Sequence, residues 1–143
     1  MTEIGWGVFI NCASLEEIVL PVGLRVLAGE AFRGCDSLKS IDIPDDITQI
    51  GASTFFGCES LRSVVLPRGL EYVGKSAFCC CANLDRVYYK GTKAEWRAIE
   101  IESGNNDLFN ADRFYYAETL PDDFEPPFWH YEDGKATVWK KEN

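Results

Sequence analysis

Three kinds of residue return to fixed slots every 23 residues through the first two thirds of the chain, and that period limits the fold more than anything else in the sequence. The Cys slot holds Cys12, Cys35, Cys58 and Cys81; the Leu slot holds Leu15, Leu38, Leu61 and Leu84; the Phe slot holds Phe9, Phe32, Phe55 and Phe78. A strict period of this size marks a chain wound into stacked coils, because one coil cannot bury its apolar face until the next lies on it.

Within each coil the stretch Leu-x-x-Ile-x-Ile alternates apolar and polar positions and is rich in β-branched residues. That pattern predicts short parallel strands with Ile18/Leu20, Ile41/Ile43, Val64/Leu66 and Val87/Tyr89 pointing inward. Pro21, Pro44 and Pro67 follow directly and turn the chain, since proline lacks the amide a ladder needs. A second inward pair, Leu24/Leu27, Ile47/Ile50 and Leu70/Val73, predicts another short strand on the opposite side of the coil, closed by Gly5, Gly51 and Gly74, with Ala28 as the exception. The Phe and the Cys three residues on have helix-like spacing, which predicts a short helix or 3₁₀ turn. Asn11, Gly34 and Gly57 precede the Cys slot and tolerate a left-handed backbone, so the turn is expected to end with positive φ there; Cys80 departs from the rule.

The first coil starts midway, with Ile4 and Gly5 aligning on Ile50 and Gly51. Its edge is expected to leave Ile4, Trp6 and Phe9 covered on one side only, so that it either follows a preceding segment or pairs with something, a second copy included.

The pattern changes at residue 90. Thr92 and Glu95 form a capping box that predicts a helix start, with Ala94, Trp96 and Ile99 on its apolar side. A turn at 103–106, a helical turn over 107–111 and a final strand over 113–116 follow, with either Arg113/Tyr115 or Phe114/Tyr116 facing inward. Residues 118–127 have the proline and acid content of a linker. Residues 128–143 form a tail in which aromatic runs flank Asp133 and Gly134, predicting a β-hairpin that must dock to be stable. The organisation expected is therefore repeats over 1–89, a cap over 90–117, the linker and the tail.

The formal charge is −9 and the pI about 4.6, which opposes binding to nucleic acid or to anionic membrane. No apolar run is long enough to insert into a membrane, and the first residues have neither the positive start nor the apolar stretch of a secretory signal, so the chain as given is not expected to export itself. Four of the six cysteines share one slot, where stacking holds their Cα–Cβ bonds parallel and about 5 Å apart. Parallel vectors are poor disulfide geometry, so these are expected to be buried free thiols.

On these residues the chain resembles the BspA-like, or treponemal-type, leucine-rich repeats, over residues 4 to 116. Tyr89-Lys90-Gly91-Thr92, Glu95-Trp96, Ile99, Ile101, Gly104-Asn105 and Leu108 are similar to the cap that ends such arrays in gut and oral bacteria. Trp129-His130-Tyr131, Asp133-Gly134 and Trp139 are similar to a short tail in some of them. The resemblance implies a leucine-rich-repeat solenoid, a right-handed superhelix of about four coils plus the C-terminal cap. It also implies a non-enzymatic protein-recognition scaffold, often secreted or on bacterial surfaces and in some members linked to adhesion.

Nothing in the residues amounts to a catalytic, cofactor or metal site. His130 is the only histidine and has no nucleophile in local register. Adjacent Cys79, Cys80 and Cys81 lack the gap that lets two sulfurs reach one tetrahedral ion. Asp45-Asp46 and Asp122-Asp123 lack a glycine-punctuated calcium loop. A carbohydrate role for Trp129 or Trp139 is a distant alternative. The expected recognition surface is the outward side of the first sheet, formed by the column Glu17, Ser40, Ser63 and Arg86 and the column Val19, Asp42, Val65 and Tyr88. The partner expected there is a protein, with homo-oligomerisation through the N-terminal edge as the second reading.

Overall fold

The computed structural model describes residues 1–119 and 128–139. In chain order its elements are β1 (Glu3–Ile4), β2 (Val26–Leu27), β3 (Ser40–Asp42), β4 (Gln49–Ile50), β5 (Ser63–Leu66), β6 (Tyr72–Val73) and β7 (Arg86–Tyr89). Then come α1 (Lys93–Arg97), β8 (Glu100–Ile101), α2 (Asn106–Asn110), β9 (Asp112–Tyr116), β10 (Phe128–Glu132) and β11 (Lys135–Val138). The strands form two sheets, one ordered β1-β2-β4-β6-β8 and the other β11-β10-β9-β7-β5-β3, parallel throughout except for the β10–β11 hairpin.

The 23-residue period becomes a register. Ile41 lies beside Val64 and Val64 beside Val87 in one sheet; Ile50 lies beside Leu27 and Val73 in the other. Between the sheets, like residues stack on like: Phe9, Phe32, Phe55 and Phe78 form a column with centroids 5.2, 5.5 and 5.2 Å apart and nearly parallel rings. The spacing is close to the ladder repeat of about 4.8 Å, so each ring is held by the coil that carries it. Leu38, Ile43, Ile47, Leu61 and Leu66 are fully buried beside the column. Gly51 and Gly74 stand where adjacent coils touch. A Cβ on Gly74 would sit 2.8 Å from the Gly51 carbonyl carbon.

The first rung differs from expectation: residues 17–20 make no ladder with β3, and the Lys39 amide donates to the Glu16 carbonyl beside it (3.1 Å). Leu20 is buried as expected, while Ile18 is half-buried.

The segment carrying Phe and Cys is not a helix. It is a run of turns with its own inter-coil ladder, in which Glu30, Phe32 and Gly34 donate their amides to the carbonyls of Ala52, Thr54 and Phe56 at 2.8–3.0 Å. Left-handed residues at both ends explain the difference. Asn11, Gly34 and Gly57 have φ of 57 to 75°, as their residue types predict, Cys80 shares the conformation at 63°, and a second slot of Gly7, Glu30, Ser53 and Ser76 has φ of 56 to 63°. A helix cannot pass through such residues, so alternate amides turn outward to the next coil.

The cap adds a fifth, longer coil. β8 pairs with β6 and β9 with β7, continuing both sheets. Thr92 caps α1 through the reciprocal box with Glu95, and Trp96 packs edge-on against Tyr89 at 5.4 Å; Ala94 is exposed rather than part of the apolar side. Asn105, 1% exposed, ends the turn ladder. Its Oδ1 accepts the Phe78 amide (3.0 Å), and its Nδ2 donates to the carbonyls of Gly74 (3.1 Å) and Glu102 (2.8 Å). Asp107 Oδ2 accepts the Cys81 amide in the same way (3.0 Å). Tyr115 faces inward, and Arg113 beside it avoids a buried charge by laying its guanidinium 4.6 Å from the Trp96 ring centre.

Asp133 and Gly134, both at positive φ (51 and 76°), turn the β10–β11 hairpin. β10 begins in parallel with β9, at Phe128 beside Tyr115 and Trp129 beside Tyr116. From there the hairpin comes back across the outer face of β5 and β3: Trp129 is fully buried with Val65 and Tyr88, and the Tyr131 hydroxyl donates to Asp42 Oδ2 (2.7 Å). Of the expected linker, residues 120–127 lie outside the described residues, as do residues 140–143 of the tail.

Candidate interaction surface

Register places six of the eight expected contact residues on one outer face, and Glu17 and Val19 lie in the first coil outside the ladder. Ser40, Ser63 and Arg86 are lateral neighbours, and so are Asp42, Val65 and Tyr88. The hairpin divides that face. Val65 (7% exposed) and Tyr88 (4%) are covered by Trp129, whose ring lies 5.4 Å from Tyr88 and whose indole N–H donates to the Tyr89 carbonyl (2.8 Å). These two are therefore packing residues of a second, smaller core and not free contact residues. Arg86 is exposed at its edge and donates to the Tyr88 hydroxyl (3.1 Å), which steadies the ring Trp129 packs on. Ser63 is half-buried, whereas Glu17, Val19, Ser40 and Asp42 stay exposed.

Outward apolar Val65 and Tyr88 in the third and fourth coils, together with an aromatic hairpin that needs cover, are the signal in the sequence that points to this contact.

What stays open is concentrated in the first coil. Val19 is 95% exposed and Val22 88%, and Trp6, Val8, Ile10 and Val26 are also exposed; outside this coil only Met1 and Phe109 join them among the large apolar residues described. Val19 and Val22 border a groove of about 410 Å³ that continues past Asp42 and Asp45 to Lys90 and the hairpin tip at Gly134. Lys90 Nζ donates to Asp45 Oδ1 (2.8 Å) and lies 5.5 Å from the Tyr131 ring centre, pinning hairpin and second coil together. Burial first, then the hydrogen bond to Asp42, hold the Tyr131 hydroxyl well above the ordinary tyrosine range.

The turn side of this coil carries a backbone polarity. The carbonyls of Gly29, Ala31 and Arg33 accept amides from Gly7, Phe9 and Asn11 (2.7–3.2 Å). Their counterparts one coil earlier are the carbonyls of Trp6, Val8 and Ile10, which receive no amide among the described residues. Among the described residues these three carbonyls form a row of acceptors between exposed apolar side chains.

The buried thiols are inert. Cys35, Cys58 and Cys81 are fully buried and free, and each Sγ donates to the carbonyl of the preceding coil's Phe at 3.1–3.2 Å. Burial pushes the Cys35 thiol up to about 11 and Cys58 up to about 12, and raises Cys81 further still. His130 stacks on Trp139 (3.7 Å), inside the hairpin packing. Among the described residues no group of three or more His, Cys, Asp or Glu is placed to hold a metal ion, and no helix is long and apolar enough to cross a membrane. Asp122 and Asp123 lie outside the described residues.

Two parallel sheets around a column of like residues, repeating every 23, define a leucine-rich-repeat solenoid. Residues 1–102 match the BspA-type leucine-rich repeat region in six copies, and the chain belongs to that family. It is similar to a leucine-rich cell-surface protein of Faecalibacterium prausnitzii, with 35% identity and a TM-score of 0.63 over 73% of this chain and 30% of that one. It is also similar to the leucine-rich repeat protein of T. pallidum, with 26% identity and a TM-score of 0.66 over 81% of this chain and 52% of that one. The chain thus spans between about a third and a half of the length of these two structures. No curated protein sequence matches it.

Proposed function

We propose that the chain is a non-enzymatic scaffold that recognises a protein partner, with its contact surface on the first two coils beside the hairpin tip. The observation that carries this reading is the concentration of exposed apolar side chains there, with Val19 95% and Val22 88% exposed, while the same face one coil further on is covered by the chain's own Trp129. A patch left bare on a molecule that covers the adjoining one favours contact with another surface. Glu17, Ser40 and Asp42 supply a polar, acidic rim, which suits a neutral or basic partner. The cell-surface description of the F. prausnitzii neighbour supports the same setting for this chain. The test is a photo-crosslinking residue at Val19, with Gln49 on the opposite sheet as control, in intact source cells. Crosslinks to a defined protein from position 19 alone are expected; equal yields from both positions would refute the surface.

Exposure of Trp6, Val8 and Ile10 favours a second reading, in which the edge of the first coil meets a second copy of this chain. Sedimentation across concentrations tests it: self-association lost in Trp6→Ser supports the reading, and a monomer throughout opposes it.

A further inference from the structure

We propose that Cys79 and Cys80 are a two-electron redox site, in which a small disulfide of the glutathione class closes a reversible bond between their adjacent sulfurs on the surface of the fourth coil. Their Sγ atoms lie 3.3 Å apart, and both thiols are free. Cys80 is exposed and Cys79 partly so, in contrast to Cys81 next to them, whose sulfur is turned inward onto the Phe55 carbonyl. The pair is therefore outside the thiol ladder that accounts for Cys35, Cys58 and Cys81.

Packing gives no reason for either residue. Cys80 is held at φ 63° in the slot that other coils fill with Asn11, Gly34 and Gly57, a conformation unfavourable for a residue with a Cβ. Cys79 stands where other coils carry Ile10, Arg33 and Phe56, and Arg33 lies 4.8 Å over the Phe56 ring in that column. Cys79 ends that column with a short thiol that reaches its neighbour instead.

The order of events follows from access. The Cys80 thiolate attacks one sulfur of the incoming disulfide, whose S–S bond breaks and releases one small thiol. The Cys79 sulfur then attacks Cys80 Sγ, breaking the mixed disulfide and releasing the second small thiol. The protein loses two electrons and two protons, and the small disulfide gains both. Cys80 takes the first step because it is exposed, while the hydrogen bond to Cys80, then burial, keep the Cys79 thiol protonated until Cys80 carries the small thiol; that hydrogen bond is then lost, and Cys79 gives its proton to solvent as it attacks. Adjacent Cα atoms are about 3.8 Å apart, short of the usual disulfide span of about 4.4–6.8 Å, so the ring is readily reduced and acts as a switch rather than a staple.

The test uses the full chain in graded glutathione redox buffers, quenched with acid, alkylated and measured by intact and peptide mass. The wild type is expected to lose two hydrogens in the peptide carrying both residues, without a glutathione adduct, and to regain them in excess reduced glutathione. Cys79→Ser is expected to stop at a glutathione adduct on Cys80. An adduct that persists on wild-type Cys80, a covalent dimer through that residue, or thiols that stay alkylatable across the series would overturn the proposal. So would loss of two hydrogens in Cys79→Ser or Cys80→Ser, which would place the bond on Cys81.

Discussion

Trp129→Ala separates the hairpin from the solenoid energetically. The side chain is fully buried, touches the rings of Tyr88, Tyr116 and Tyr131, and donates its indole N–H to the Tyr89 carbonyl. Removing a buried Trp costs about 3–5 kcal/mol, and an isolated two-stranded hairpin is at best marginally stable in water. The solenoid does not depend on this contact: its Phe column, the sheet of β1, β2, β4, β6 and β8, and the Asn105 cap lie on the other side of β5 and β7. The loss therefore falls on hairpin docking, raising its opening equilibrium by about two to three and a half orders of magnitude. Amide exchange read by mass spectrometry resolves the two parts. Amides of β10 and β11 are expected to lose protection, while those of β4 and β6 keep it. Unchanged protection in the hairpin, or equal loss in β4 and β6, would refute the reasoning.

Gly74→Ala forces a Cβ against the backbone of Gly51 and Ala52, and is expected to cost about 1–3 kcal/mol and lower the thermal midpoint by several degrees. Asn105→Ala leaves the buried Phe78 amide without its acceptor; a loss of about 1–3 kcal/mol is expected in urea titration, with the cap exchanging faster than the first coils. The buried thiols give a pH dependence of definite sign. Cys35 and Cys58 keep their protons in the fold up to about 11 and about 12, whereas the unfolded chain releases them near its ordinary value of about 9. Their contribution is fully present below that value and is lost as pH rises toward the folded values. Cys58→Ala is expected to flatten the alkaline limb of the stability curve by up to about 1.4 kcal/mol per pH unit; an unchanged limb would contradict the burial argument.

Residues that recur made the fold readable. A Phe, Leu or Cys that returns on schedule must meet its own kind, and the column from Phe9 to Phe78 follows from that alone. The left-handed slot of Asn11, Gly34 and Gly57 was legible because those residue types tolerate it, and Cys80 conforms despite its Cβ. The matching slot of Glu30, Ser53 and Ser76 was not, since glutamate and serine carry no such signal and tertiary hydrogen bonds impose the conformation. For the same reason the Phe-x-x-Cys spacing, which suits a helix or a series of turns equally, predicted the wrong one. The candidate surface was half legible. Periodicity placed Glu17, Val19, Ser40 and Asp42 outward, but it had no means of placing Trp129, which belongs to no repeat, over Val65 and Tyr88.

Nuclear Overhauser contacts among aromatic and methyl protons examine stacking and cover together. The structure requires cross-peaks linking Phe9 to Phe32, Phe32 to Phe55 and Phe55 to Phe78, and from the Trp129 indole to Tyr88 and Val65. A Trp129 indole without contact to Val65 or Tyr88, or a Phe set whose members do not see one another, would contradict it.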